Sequence, residues 1–235
     1  MDYKIKNKNN MIVKLTAHNG NTASLVIKDE KEHIQRCWKN LKFYESHKGG
    51  ILSYMMNNLD RYSNKKCLDI GACIGNHTVY FSKILGCDVT SFEPSPESYD
   101  HLLENCELND ISPTLHNIAL GEEKKTAGIR NNSKKHFNIG MNQIVEGEGI
   151  QVEKLDDVVE GQFDFIKIDV EHYNIPLLKG AKETLTSQIN CDVFIECESD
   201  SILEETDNIM KSYGYTRNPK IKLNHTPTYL WTKNN

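Results

Sequence analysis

The segment Asp169-Val170-Glu171-His172 holds three side chains able to move protons, and Glu196 and Glu198 add two carboxylates downstream. Asp169 ends the apolar run Phe165-Ile166-Lys167-Ile168, so a strand here delivers its carboxylate to the mouth of a cleft rather than to a core. At that place it can take a proton from a substrate hydroxyl. It can equally be a metal ligand with Glu171 and with Glu196 or Glu198. His172 titrates near neutrality and is a second candidate proton acceptor. Lys167 reads as the ion-pair partner of one of these acids.

A second constellation lies upstream. Cys67-Leu68-Asp69-Ile70 reads as a buried strand broken by Gly71 and Gly75, after which Phe81, Ile84 and Leu85 fall at helical spacing. A strand, a glycine turn and a helix in that order bring free backbone N–H groups up to a ligand. Gly71 permits the sharp turn, Gly75 a close approach of backbone to ligand, and Ala72 and Asn76 belong to the same turn. Dinucleotide sites use G-x-G-x-x-G. The spacing here is Asp-x-Gly-x-x-x-Gly, and the Asp69 carboxylate would repel a pyrophosphate but suits a cationic or hydroxyl-rich ligand. S-adenosylmethionine is such a ligand. Glu93 ends the strand Val89–Phe92 about 20 residues on, where a ribose-binding carboxylate is expected. Its bonds to the two ribose hydroxyls would be charge-assisted. Asn117, in a third strand, is placed at the adenine edge. Either signal alone fits a strand–turn–helix with a capping acid; together they specify a nucleoside cofactor.

The elements that must position these groups alternate. Strands are expected over 67–70, 88–92, 114–120, 163–170 and 192–198, and helices over 76–85, 96–108, 176–188 and 201–213. Ser95 caps the second helix, Pro96 opens it, and Tyr99, Leu102, Leu103 and Cys106 share its face. Two closing strands lie at 213–215 and 228–231. This order predicts an α/β fold, a doubly wound, Rossmann-like, mostly parallel seven-stranded sheet with an antiparallel C-terminal strand. Ligands of such sheets bind at the carboxyl ends of the strands. Asp69, Glu93, Asn117, Asp169 and Glu196 all fall at that edge. Residues 1–62 form an N-terminal extension, a lid or padding, with a hairpin of 12–15 and 23–27 around Asn19-Gly20. Helices are expected over 29–45 and 49–60, and the catalytic domain over 63–235. Residues 121–150 read as a long polar loop, with Asn138, Gly140 and Asn142 within reach of substrate or in an ordinary turn.

Composition narrows the partners. The 235 residues carry a formal charge of −5 and a mean hydropathy of −0.58. A nucleic-acid protein needs a basic footprint. The basic spots Lys4–Lys8 and Lys124–Lys135 are interrupted by Asn and Glu and read as solvated faces. No run approaches the roughly 18–20 apolar residues of a membrane span, and the N-terminus lacks a signal-peptide core. Seven scattered cysteines without a Cys-x-x-Cys pair predict reduced thiols and a cytoplasmic protein.

The chain resembles the FkbM-type methyltransferases, a branch of the class I S-adenosylmethionine-dependent enzymes. The likeness rests on Leu68-Asp69-Ile70-Gly71-Ala72-x-x-Gly75, Phe92-Glu93-Pro94, Asn117-x-Ala119-Leu120-Gly121 and Asn138-x-Gly140, followed by Leu155-Asp156-Asp157, Ile166-Lys167-Ile168-Asp169-Val170-Glu171, Leu178-x-Gly180-Ala181 and Ile195-Glu196. It implies methyl transfer to a hydroxyl oxygen of a sugar, a glycan or another small molecule. Asp69, Gly71 and Glu93 would hold the cofactor and Asp169 and Glu171 would line the reaction site. The family continues Glu-Gly-x-Glu where this chain has Glu171-His172-Tyr173-Asn174, which favours His172 as the base over two acids or a metal. The alternatives are an RNA-modifying methyltransferase of the same fold, which the missing basic stripe disfavours, and a nucleoside-binding protein without turnover. The glycine spacing disfavours a nicotinamide dehydrogenase.

Overall fold

The computed structural model describes residues 2–6, 10–131, 138–224 and 227–233. Lys8, Lys134 and Lys135 of the two basic spots lie outside them. At the start, β1 (Tyr3–Lys6), β2 (Met11–Thr16) and β3 (Thr22–Ile27) form an antiparallel sheet. β2 and β3 are the expected hairpin: Val13 and Leu15 on β2 and Ala23, Leu25 and Ile27 on β3 are buried at alternate positions, and Val26 is buried as well. The helix expected over 29–45 is only α1 (His33–Lys39). Glu32 caps it by accepting from the Gln35 N–H, and Leu41 and Glu45, at φ of 59° and 60°, leave helical geometry behind it. The next expected helix is split into α2 (Ile51–Met56) and α3 (Leu59–Tyr62).

β4 (Lys66–Ile70) leads into α4 (Asn76–Val79), which continues as a π-turn over Tyr80–Ile84 and buries Phe81, Ile84 and Leu85 as expected. β5 (Asp88–Phe92), α5 (Pro96–Leu108) and β6 (Thr114–His116) follow. On α5, Leu102 and Cys106 are buried, but Leu103 turns out to be exposed. The strand expected over 114–120 and the loop over 121–150 are both corrected. β6 ends at His116, and β7 (Ala119–Leu120) leaves it for a separate sheet with β8 (Lys125–Asn131) and β9 (Asn142–Glu153), in the order β7-β9-β8. Glycines 128, 147 and 149 interrupt the alternation of this hairpin, and Ala127, Ile150 and Val152 are its residues in a core, so its period is faint.

The remaining elements are α6 (Leu155–Val158), β10 (Phe165–Ile168), α7 (Asn174–Lys179), α8 (Lys182–Ser187), β11 (Asp192–Glu196), α9 (Asp200–Ser212), β12 (Thr216–Leu223) and β13 (Thr228–Thr232). The main sheet has the order β12-β13-β11-β10-β4-β5-β6. β13 runs antiparallel to both its neighbours, while β11, β10, β4, β5 and β6 are parallel. This is the expected α/β architecture. Cores cover both faces: Trp38, Leu52, Tyr62, Phe81, Phe165 and Phe194 gather on one, and Leu68, Ile168, Leu178, Leu185, Met210 and Trp231 on the other. The N-terminal segment therefore packs over the face that also carries Asp69 and Lys167. No helix among the described residues is long and apolar enough to cross a membrane.

The single helix expected over 176–188 breaks between α7 and α8. A Cβ on Gly180 would stand 1.8 Å from the Gly121 carbonyl oxygen, so the hairpin sheet meets the main body through a contact only glycine allows. Gly180→Ala is expected to destabilise the protein by roughly 1–3 kcal/mol, the usual cost of overpacking. Urea unfolding would measure it, and an unchanged midpoint would show that the Gly121 backbone gives way freely.

Candidate active site

Strand register builds the floor of the site. Lys167 pairs with Asp69 across β10 and β4, and Asp69 with Ser91 across β4 and β5, so all three point to one face. Lys167 Nζ lies 3.3 Å from Asp69 Oδ1 and 3.4 Å from Asp169 Oδ2, and donates to the Gly71 carbonyl at 3.1 Å. The Thr78 hydroxyl donates to Asp69 Oδ2 at 2.7 Å and lies 2.8 Å from Ser91 Oγ. Burial by itself would lower the pKa of Lys167. The Asp69 and Asp169 charges overturn that and hold the ammonium above its ordinary range. Lys167 thus pairs with two acids. Asp69 is fully buried beneath the glycine turn and off the cavity wall, which corrects its expected contact with ligand: it supports the lysine instead.

Over this floor lies a cavity partly open to solvent. Gly71, Ala72, Cys73 and Asn76 of the glycine turn, Phe92, Glu93, Ile118 and Leu120, and Ile34 and Tyr44 of the N-terminal segment all line it. Gly71, at φ +81°, rests on β10 so tightly that a Cβ would stand 1.8 Å from the Asp169 carbonyl oxygen. Gly75, at φ +89°, faces Leu102 Cδ1, 2.7 Å from an added Cβ. Its role is helix packing, not the expected approach to ligand. Asn76 is both wall and joint: its Oδ1 accepts from Trp38 Nε1–H at 2.9 Å and Tyr44 N–H at 3.0 Å, and its Nδ2 donates to the Tyr44 carbonyl at 3.1 Å.

Glu93 lies on the wall, accepting from the Cys73 N–H and the Ser95 N–H, each at 2.8 Å. Burial pushes its pKa up to about 7 against the pull of those two bonds. Each carboxylate oxygen still has a lone pair for a ligand hydroxyl. Asn117 is off the wall: its Nδ2 donates to the Glu93 carbonyl at 2.8 Å, and Ile118, Ala119 and Leu120 line the cavity in its place. In the hairpin, Asn138, Gly140 and Asn142 do line the cavity.

At the reactive end, Asp169, Glu171 and Glu196 bring carboxylate oxygens within 4.8 Å of one another, a spacing that a divalent ion can bridge. Burial raises the pKa of all three, Asp169 adds to the rise at Glu171 and Glu196, and Lys167 opposes it at Asp169. His172 lies beside this cluster, with a ring nitrogen within 4.8 Å of carboxylate oxygens of Glu171 and Glu198. Its imidazole is half exposed and off the cavity wall, with Nδ1 3.9 Å from Glu198 Oε1, while the His172 backbone N–H donates to the same oxygen at 2.6 Å. Glu171 and His172 both have positive φ, 23° and 63°, so the imidazole occupies the glycine position of the family pattern with its backbone turned left-handed. The turn faces Glu171 into the cavity and His172 out of it, which corrects the expectation of His172 as the base. Asn174 is buried and donates to the Glu196 carbonyl at 2.7 Å, steadying the end of β11.

Glu171, its pKa pushed up to about 7 mainly by burial, has a consequence for stability. The folded chain keeps this proton to higher pH than the unfolded chain, whose carboxyl titrates near its ordinary 4.5. The wild type therefore loses stability at this site as pH rises from 4.5 to about 7. Glu171→Gln, which has nothing to lose there, should match the wild type in melting temperature below that window. It should gain on it steadily through the window, and a difference independent of pH would refute the shift.

Sequence reasoning missed His77 and Glu45. His77 lies on the cavity wall, its Nε2 3.0 Å from Glu45 Oε2, and both side chains are about 6% exposed. The available signal was a polar triplet, Asn76-His77-Thr78, opening an otherwise apolar helix. Glu45 gave none, because it fell within a predicted helix.

A model of the methyltransferase FkbM domain matches residues 69–217. No curated protein sequence matches significantly. Among solved structures, a methyltransferase FkbM from Methylobacillus flagellatus KT superposes with a TM-score of 0.53 at 20% identity, covering 72% of this chain and 43% of its own. The present chain thus spans less than half of that relative. A ribosomal protein L11 methylase from Lactobacillus delbrueckii subsp. bulgaricus gives 0.53 at 16% identity over 95% and 98% of the two chains. A putative rRNA-methylase from Clostridium thermocellum gives 0.51 at 10% over 77% and 94%. At these identities the superpositions speak for the shared fold.

Proposed function

The chain belongs to the FkbM methyltransferase family, and from that premise we propose that it is an S-adenosylmethionine-dependent O-methyltransferase acting on a hydroxyl of a sugar, a glycan or another small polyhydroxyl acceptor. One observation carries the reading: a single cavity joins the Gly71 turn and Glu93 to the acids Asp169, Glu171 and Glu196. The donor set fits the cofactor part by part. Ile70, Phe92, Ile118 and Leu120 offer an apolar slot for adenine, Glu93 has lone pairs for the ribose hydroxyls, and Gly71 to Cys73 bring backbone to the methionyl arm. When bound, S-adenosylmethionine supplies an electrophilic methyl group on a sulfonium.

This chain's own residues position the acceptor and handle its proton. Asp169, raised in pKa by burial and steadied by Lys167, receives the hydroxyl proton. Glu171, Glu196 and the amides of Asn138 and Asn142 supply acceptors and donors for neighbouring hydroxyls. Most of the acceleration comes from holding the two reactants in line. The acid-lined cavity and the net charge of −5 do not suit a phosphate backbone, which disfavours an RNA substrate. Residues 1–62 serve as a lid that completes the cavity, and the free cysteines agree with a cytoplasmic setting.

Calorimetric titration with S-adenosylhomocysteine and with NAD tests the cofactor, followed by transfer of labelled methyl groups into a panel of glycans. Binding of the first ligand only is the expected result. Glu93→Ala should weaken it roughly ten- to a hundredfold, the worth of one charge-assisted hydrogen bond or more. A wild type that binds no adenosyl ligand would end the proposal.

A further inference from the structure

The proposed cofactor is a zwitterion, and the cavity is strongly acidic. Its ammonium and sulfonium and its ribose hydroxyls suit a wall bearing Glu93, Asp169, Glu171 and Glu196. Its carboxylate does not. Leaving that carboxylate unpaired among four acids in a partly enclosed site would be costly. Among the described residues lining the cavity, Lys167 and His77 are the side chains that can be cationic. Lys167 is already committed, its Nζ between Asp69, Asp169 and the Gly71 carbonyl. His77 remains.

His77 also stands in the right place. It follows Asn76 directly after the glycine turn and lines the cavity together with Gly71, Ala72 and Cys73, the stretch assigned above to the methionyl arm. Glu45 Oε2 sits 3.0 Å from its Nε2, an ion-pair distance, and an imidazolium offers donors on both ring nitrogens. Glu45 comes from the N-terminal segment at φ +60°. Its neighbour Tyr44 is pinned by two hydrogen bonds between its backbone and the Asn76 side-chain amide, so the segment that supplies the acid is fastened beside the histidine that uses it. Tyr44 also lines the cavity, which places the extension at the ligand rather than behind the sheet.

We propose that His77, held by Glu45 of the N-terminal extension, binds the carboxylate of the cofactor's methionyl arm. This rests on the cofactor reading above and gives the extension a binding role. The test compares two ligands by isothermal calorimetry on the full chain: S-adenosylhomocysteine, and 5′-methylthioadenosine, which keeps the nucleoside but has no amino-acid arm. His77→Gln should lower affinity for the first roughly ten- to a hundredfold, as expected for a lost charge-assisted bond, and leave the second nearly unchanged. Glu45→Gln should lower the first by less and spare the second. It reads the same contrast should the histidine variant not fold.

Equal losses for both ligands would mean that the pair merely shapes the pocket, and no loss for either would mean that the carboxylate lies elsewhere; both overturn the assignment. A wild type that binds neither ligand overturns the cofactor reading and this inference together, and is told apart because no variant is needed to see it.

Discussion

Lys167→Met is expected to destabilise the protein by roughly 3–5 kcal/mol, the usual result of removing one partner from a buried charge network. The lysine side chain is 4% exposed, and Asp69 beside it is fully buried. Asp69 Oδ1 has no hydrogen bond, so the ammonium 3.3 Å away is what meets its charge. Methionine fills similar space but leaves Asp69 and Asp169 facing each other without a cation, and it removes the donor to the Gly71 carbonyl. The variant must then bury a bare carboxylate, protonate it or admit water. Urea unfolding at neutral pH measures the cost. Adding Asp69→Asn should restore part of it, since the amide needs no counter-charge and its oxygen can still accept from Thr78. A loss below about 1 kcal/mol, the range of exposed pairs, would mean that solvent reaches the network. Ligand binding should suffer as well, because the Gly71 turn is tied to this lysine.

Why this network was only half legible follows from what a strand pattern encodes. Alternation tells which face a residue takes and where the strand ends, and that sufficed to set Asp69, Glu93, Asp169 and Glu196 along one edge of a parallel sheet. It does not tell depth. Asp69 shares a face with Cys67 and, being penultimate in β4, stays beneath the turn, whereas Asp169 follows the last residue of β10 and reaches the cavity. The ion pair was foreseen from residue types alone, but its two-acid form needed the register of β10 on β4. The placement of His172 was hidden for another reason: two successive positive φ values leave Glu171 on the cavity wall and the His172 ring beside it but off the wall, and nothing in residue identity announces them. The same is true of Glu45. The hairpin over 125–153 escaped because glycines break its period, although its Asn138, Gly140 and Asn142 were still singled out for their chemistry.

The second large effect concerns turnover. Asp169→Asn should lower the methyl-transfer rate on the order of 10²- to 10⁴-fold, the range for losing a positioned general base. S-adenosylhomocysteine affinity should stay near that of the wild type, because the amide oxygen can still accept from Lys167 and leaves the Gly71 turn seated. Asn is the informative change here, since Ala would also release the lysine and mix a folding effect into the kinetics. The pH dependence gives an independent reading. Burial raises the pKa of Asp169, so the wild-type rate should climb as a carboxyl ionises above its ordinary range, and that limb should vanish in the variant. Glu171 and Glu196 stand close enough to compete for the role. Should Glu196→Gln cost more turnover than Asp169→Asn, the base belongs to β11, and Asp169 is the counter-charge of Lys167. Position favours Asp169: it is the acid that touches the cation of the floor while its carboxylate, about 30% exposed, still opens to the cavity. A group that is to take a proton and then bear the charge needs both.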